Sequence, residues 1–209
     1  MTADPSIAPA VRPAAVADLT ALASTLAGAF SDDPVWSWIL PDVTSRLARL
    51  TQVFALLARH AHVPHGGAEL ACRGSSVEAV ALWDPPGRWR LPLITQIRQG
   101  PSFVRAFGAR LPAAMRALAR IERHHPAGPH WYLAYLGTNP PAQGQGLGAA
   151  LLTSRLDRCD AAGLPAYLES SKQCNVPYYE RFGFQVITEL AMPGNCPPVW
   201  PMWRPPATQ

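Results

Sequence analysis

The chain has 209 residues, 48% of them hydrophobic, and a formal net charge of +4. Those values suit one domain, residues 1–209, with a full core; they exclude a membrane-spanning segment, because no apolar run reaches the ~20 residues a bilayer requires. Arginines are dispersed rather than clustered with aromatics, which argues against a nucleic-acid partner, while Cys72, Cys159, Cys174 and Cys196 lack zinc spacing and Met1 to Pro5 lacks the marks of a signal peptide, so reduced thiols, no metal and a cytoplasmic location are expected.

Taken in chain order, residues 1–9 read as a loose tail and Val11-Arg12-Pro13 as a short strand or its lead-in. Asp18 can begin a helix in which Leu19, Leu22, Leu26 and Phe30 share a face, broken by Ser31-Asp32-Asp33-Pro34. A second helix is predicted from Thr44 to about His62, with Leu47, Leu50, Phe54 and Leu57 on one face. His60, His62 and His65 straddle its end with no acidic partner in sequence, so they read as solvated rather than metal-binding. Ala68 to Cys72 and Ser76 to Trp83 form a strand pair, closed by Asp84-Pro85-Pro86-Gly87. From Leu91 to Arg123 the pattern is helical, interrupted near Gly100-Pro101 and weakened at Pro112. His130 to Thr138 is an aromatic-rich strand, followed by a glycine turn and a helix from Gly146 to Ala162 that stops at Gly163. A strand at 165–171, a short helix from Asn175 with Pro177 in its first turn, and a closing strand from Gln185 to Leu190 complete the order, with 204–209 as a second loose tail. The sum is β-α-α-β-β-α-β-α-β-α-β, a mixed-sheet α/β layer fold.

The most telling stretch is Gln143-Gly144-Gln145-Gly146-Leu147-Gly148-Ala149, between a strand and a helix. First-turn N–H groups lack helical acceptors and the helix dipole is positive there, so a strand, a glycine turn and a helix start make an anion site. Gly144, Gly146 and Ala149 also satisfy a dinucleotide fingerprint, with Glu169 near the expected acidic position. Against that reading, Asn139-Pro140-Pro141-Ala142 separates strand from glycines where a tight turn is needed, and the remaining chain is short for repeated βαβ units. A phosphate loop ending Gly-Lys-Ser/Thr is excluded, because Lys172 is the sole lysine.

Gln143-x-x-Gly146-x-Gly148 resembles the pyrophosphate-binding motif of the GNAT superfamily of N-acetyltransferases. Three matches follow it in the order that family uses: the strand Pro165 to Ser170, the segment Asn175-Val176-Pro177-Tyr178-Tyr179-Glu180-Arg181-Phe182-Gly183-Phe184, and the closing strand. The resemblance covers Trp131 to about Leu190 and implies the GNAT fold, a central mixed, mostly antiparallel sheet with a splayed central strand and helices on both faces. It implies acetyl-CoA as co-substrate, coenzyme A as product and direct attack by an amine. Pro-Tyr-Tyr-Glu-Arg-Phe-Gly-Phe, Met192-Pro193-Gly194 and Trp200 to Arg204 resemble most the puromycin N-acetyltransferase branch and its bacterial relatives, which implies a small-molecule amine as partner. A monomer or homodimer is expected, a choice the sequence itself does not decide.

The same resemblance assigns candidate roles. The pyrophosphate would meet Gln143, Gly144, Gln145, Gly146, Leu147, Gly148 and Ala149, and the pantetheine arm would pair with Leu136, Gly137 and Thr138, one of whose N–H groups would polarise the thioester carbonyl. Tyr179 would meet the departing thiolate, and Asn175 would contact the arm or cap its own short helix. A tyrosine near pKa 10 gives a proton to a thiolate near 8.5 only uphill, by roughly 2 kcal/mol, which favours hydrogen bonding over full transfer. Tyr178 would pack on Phe182 at i+4. Glu169 is the first candidate for general base; Asp32, Asp33 and a water chain compete with it. The acceptor pocket is expected around Asp32, Asp33, Trp36, Trp83 and Glu169, whose mix of acids and aromatics suits an amine with an apolar body. Two readings outside this one stay open, a non-catalytic acyl-CoA-binding domain of the same fold and a nucleotide-dependent oxidoreductase.

Overall fold

A computed structural model describes residues 10–90 and 93–207. Seven strands form one sheet in the order β1-β2-β3-β4-β5-β7-β6: β1 Ala10–Pro13, β2 Ala68–Arg73, β3 Ser76–Asp84, β4 Trp131–Thr138, β5 Ala166–Ser170, β6 Gln185–Val186 and β7 Trp200–Arg204. Among them only β4 and β5 pair in parallel. The helices are α1 Leu19–Ala29, α2 Pro34–Ile39, α3 Val43–Leu57, α4 Leu93–Phe107, α5 Leu111–His124, α6 Leu147–Ala161 and α7 Val176–Glu180. Strand alternation divides the sheet into two apolar faces. Leu70, Val80, Leu82 and Tyr135 pack under α1 and α3, while Ala79, Ala81, Trp83, Leu133 and Leu168 pack under α6.

What creates a cleft is a disagreement between neighbouring strands. β4 and β5 pair only over Trp131↔Ala166, Tyr132↔Tyr167 and Leu133↔Leu168. At the next residue β4 carries a bulge: Leu82 opposes Tyr135 and Trp83 opposes Leu133, leaving Ala134 extra. A bulge adds local twist. Beyond it β4 follows β3 as far as Thr138, whereas β5 follows β7 through Glu169↔Pro201 and Ser170↔Trp200. The two strands part, and the backbone between them opens. Gly137 lets α1 close over the end of β4, because a Cβ there would stand 2.8 Å from Ala29 Cβ and 2.9 Å from Leu26 Cδ2.

Several expectations from sequence need correction. α4 runs through Pro101 without a break, and the chain turns instead at Gly108, φ +54. Leu91, the expected start of that pattern, lies outside the described residues. α2 was not foreseen: Asp33 caps it by accepting from Val35 and Trp36 N–H, each at 3.0 Å, and Pro34 opens it. The closing strand contracts to β6, with one further bridge at Leu190↔Val199. The largest omission is β7, which lies between β5 and β6 although Pro201 interrupts its sequence. Arg204, expected in a loose tail, is buried, donates to Phe182 O at 2.7 Å and pairs with Asp160 at 2.6 Å; Ala207 N–H also reaches Asp160, at 2.8 Å. His62 is likewise not solvated. It is buried, with Nδ1 3.0 Å from Asp84 Oδ1.

Candidate active site

The parting of β4 and β5 opens a cleft of about 760 Å³. One wall is the backbone of Leu133–Thr138, another the glycine loop with the first turn of α6, a third the α7 segment, and the floor is Leu168 to Lys172. Of the residues expected at the cofactor, Leu136, Gly137, Thr138, Gln143, Gly144, Gly146, Leu147, Gly148, Ala149, Asn175 and Tyr179 all line it. Gln145 does not. Its side chain turns outward, accepting from Arg73 and donating to Pro141 O at 3.3 Å.

The glycine loop has the shape an anion needs. Gly146 is the N-cap of α6 at φ +79, a left-handed conformation costly for residues with a Cβ. The first helical bond at this end runs from Ala150 N–H to Gly146 O, at 2.9 Å. The N–H groups of Leu147, Gly148 and Ala149 therefore precede any helical acceptor. A Cβ on Gly148 would come within 2.9 Å of Tyr178 Oη, so this wall is already closely packed. Gln143 Nε2 donates back to Thr138 O at 3.3 Å and ties the loop to the end of β4. These residues fit a pyrophosphate group.

On the adjoining wall, Tyr178 and Tyr179 project from the single turn of α7. Tyr178 packs on Phe182 at 5.4 Å between centroids, as the i+4 spacing predicts. Burial pushes its phenol up to about 12. Tyr179 packs edge-on against Phe184, and burial, with Tyr178 and Asp33 nearby, raises its phenol well above the ordinary range. That makes proton donation from Tyr179 costlier than reference values imply and leaves hydrogen-bond donation as the role its environment favours. Asn175 makes no side-chain cap to α7; its Oδ1 faces the Cys174 thiol at 3.8 Å.

The acidic candidates separate by environment. Asp32 is exposed and paired with Lys172 at 2.9 Å, outside the cleft wall. Asp33 lines the cleft but is committed, since Oδ1 caps α2 and Oδ2 accepts from Ser171 Oγ; burial raises its pKa. Glu169 also lines the cleft, and its side chain is only 6% exposed. Burial pushes Glu169 up to about 7, while the hydroxyls of Tyr132 and Tyr167 pull it down. Among the described residues its Oε1, itself buried, has no hydrogen-bond partner. The tryptophan expectations need correction: Trp36 lies in the core under α1 and α3, stacked on Phe107 at 6.3 Å, and Trp83 is fully buried in the core under α6. Neither lines the cleft. The sequence reading missed Phe30, Ser171, Lys172 and Arg181, which do. Ser171 and Lys172 directly follow β5, and that position at the open end of a parting strand was the available signal.

The acetyltransferase (GNAT) family model matches residues 77–184, from β3 to the end of the α7 segment. The chain belongs to the GNAT family. An uncharacterised N-acetyltransferase of Schizosaccharomyces pombe is 31% identical over 184 residues, covering 80% of this chain and 70% of that one. Among solved structures, a Corynebacterium glutamicum protein described as histone acetyltransferase HPA2 and related acetyltransferase superposes with a TM-score of 0.75 at 30% identity, over 97% of this chain and 99% of that one. The Drosophila melanogaster polyamine N-acetyltransferase, which forms N-acetylagmatine, has a TM-score of 0.62 at 15% identity over 95% of this chain and all of that one, and so shares the fold. This protein is therefore an acetyltransferase of the GNAT fold, with its mixed, mostly antiparallel sheet.

Proposed function

We propose that this GNAT protein transfers an acetyl group from acetyl-CoA to a primary amine of a small molecule, by direct attack in a ternary complex. The observation that carries this reading is the cleft between β4 and β5, which combines an open β4 backbone, a helix start rich in glycine, a half-buried tyrosine and the carboxylate residue Glu169. When bound, acetyl-CoA supplies an activated acetyl carbon: a nitrogen–carbon bond forms, the carbon–sulfur bond breaks, and the ammonium loses one proton to a base and one to sulfur. The backbone of Leu136–Thr138 would hold the pantetheine arm, and the N–H groups from Gly144 to Ala149 the pyrophosphate. Glu169 would take the first proton, because a carboxylate titrating near neutrality balances ionisation against basicity. Tyr179 would donate a hydrogen bond towards the departing sulfur.

Small-molecule specificity, and membership of the puromycin N-acetyltransferase branch, rest on the C-terminal pattern Tyr178 to Phe184 and Trp200 to Arg204. Thiol release from acetyl-CoA, measured with a panel of primary amines, histone tail peptides and no acceptor, tests the reading. Release that depends on a small amine supports it. Release driven by peptides alone would overturn the substrate class, and acetyl-CoA binding without any transfer would favour a non-catalytic acyl-CoA-binding domain.

A further inference from the structure

The helices between β3 and β4 carry an outer surface to which the proposed reaction assigns no role. Their inner sides are committed to packing. On α4, Ala106 and Phe107 are buried and Phe103 packs beside them in the core under α1 and α3. On α5, Ala117 is buried in a smaller cluster with Leu190, Met192 and Val199. The outer sides are aliphatic where solvent meets them: Ile94, Ile97 and Val104 of α4 are 56%, 65% and 53% exposed, and Met115 and Leu118 of α5 are 51% and 47% exposed. These are five of the ten exposed large hydrophobic side chains among the described residues, so the apolar surface is concentrated rather than scattered.

Positive charge is concentrated on the same helices. Residues 93–124 carry six arginines and one acid, Glu122, a charge of +5 against +4 for the whole chain, so the rest of the chain is at −1. Arg110 and Arg120 donate to the carbonyls of Ile39 and Ala191. Arg98, Arg105, Arg116 and Arg123 are exposed and enter no ion pair among the described residues. At about 100° per residue, Ile94, Ile97 and Val104 fall within an arc of about 80° on α4, and Arg98 and Arg105 occupy the next 40° or so. From that border an arginine can keep its stem on apolar surface and its guanidinium in a polar layer. Such a face needs a complement that is apolar within and anionic at its rim. A second copy does not supply it, because two like faces set arginine against arginine. An anionic bilayer does, with acyl chains for the aliphatic stripe and phosphate oxygens for the guanidinium forks. We propose that the outer face of α4 docks this protein on anionic lipid membranes, with Ile94, Ile97 and Val104 entering the acyl boundary and Arg98 and Arg105 held at the phosphates. Arg116 and Arg123, on the next helix, add to the field that draws this face to the surface. No helix among the described residues is long and apolar enough to cross a membrane, so the contact is peripheral.

Flotation of the purified chain with lipid vesicles tests this. The probes are phosphatidylcholine vesicles with and without about 30% phosphatidylglycerol, at about 0.1 M NaCl, where charges act over about 10 Å. Binding is expected to the anionic vesicles and not to the neutral ones. An arginine near an anionic surface changes partitioning about fivefold, so the double variant Arg98→Gln, Arg105→Gln should bind about 25-fold more weakly. The double variant Ile94→Ser, Ile97→Ser keeps every charge and should still bind about tenfold more weakly or worse. All four side chains are exposed, and thermal melts of both variants should match wild type. No binding of wild type to anionic vesicles, or equal binding to neutral ones, would overturn the inference. Undiminished binding by the Ile94, Ile97 variant would do so too, because it would mean adhesion by charge alone. A wild-type dimer in light scattering that this variant splits, with no vesicle binding, would assign the face to a second copy instead.

Discussion

Glu169→Gln isolates the cost of keeping a buried carboxylate ready to act as a base. Burial raises this group from its ordinary 4.5 to about 7. Between those two values the folded chain holds a proton that the unfolded chain has released, so stability falls as pH rises from 4.5 towards 7 and stays reduced above it. At 1.36 kcal/mol per pH unit the penalty is on the order of 3 kcal/mol. Gln is isosteric, keeps an oxygen facing Tyr132 and Tyr167, and never ionises. The variant should therefore be more stable than wild type at pH 8 by on the order of 3 kcal/mol, which for a chain of this length means a Tm increase of roughly 6–12 °C. Near pH 4.5 the two should melt together. Thermal melts from pH 4.5 to 8.5 by circular dichroism, with amine-dependent thiol release measured on the same samples, give both readouts. Turnover should fall by about 100-fold or more if Glu169 is the base. A Gln variant no more stable than wild type at pH 8, or with the same pH slope, would refute the argument that this carboxylate is held against its own solvation.

Gly146→Glu places a carboxylate in the glycine loop at a residue with φ +79, and acetyl-CoA affinity measured by calorimetry should drop more than about 100-fold while the variant remains folded. Tyr179→Phe should lower kcat by about 10- to 100-fold, the value of a hydrogen bond to a charged group, with acetyl-CoA affinity within about twofold; wild-type turnover in steady-state assays would make Tyr179 a packing residue. Arg204→Ala removes the partner of Asp160 and the donor to Phe182 O, and urea melts should show a loss of about 2–3 kcal/mol.

The second half of the chain was legible because its chemistry is local. The glycine spacing of Gly144, Gly146 and Gly148, the Asn175 to Phe184 segment and the helix stop at Gly163 each depend on a few adjacent residues, and the structure brings the glycine loop, β4 and α7 around one cleft. Properties that depend on distant pairing were not legible. Pro201 argues against a central strand, yet β7 joins β5 over five residue pairs. Trp36 and Trp83 carry the same sequence signal as pocket aromatics; only strand alternation and the packing of α1, α3 and α6 assign them to the two cores.

On the reading proposed above, the cleft between β4 and β5 holds acetyl-CoA. Isothermal titration of the purified protein with acetyl-CoA, coenzyme A and NADPH tests it most directly. Saturable binding of the first two at one site per chain, abolished by Gly146→Glu, is expected, with no binding of NADPH. Binding of NADPH alone, or acetyl-CoA affinity unchanged in a folded Gly146→Glu variant, would contradict it.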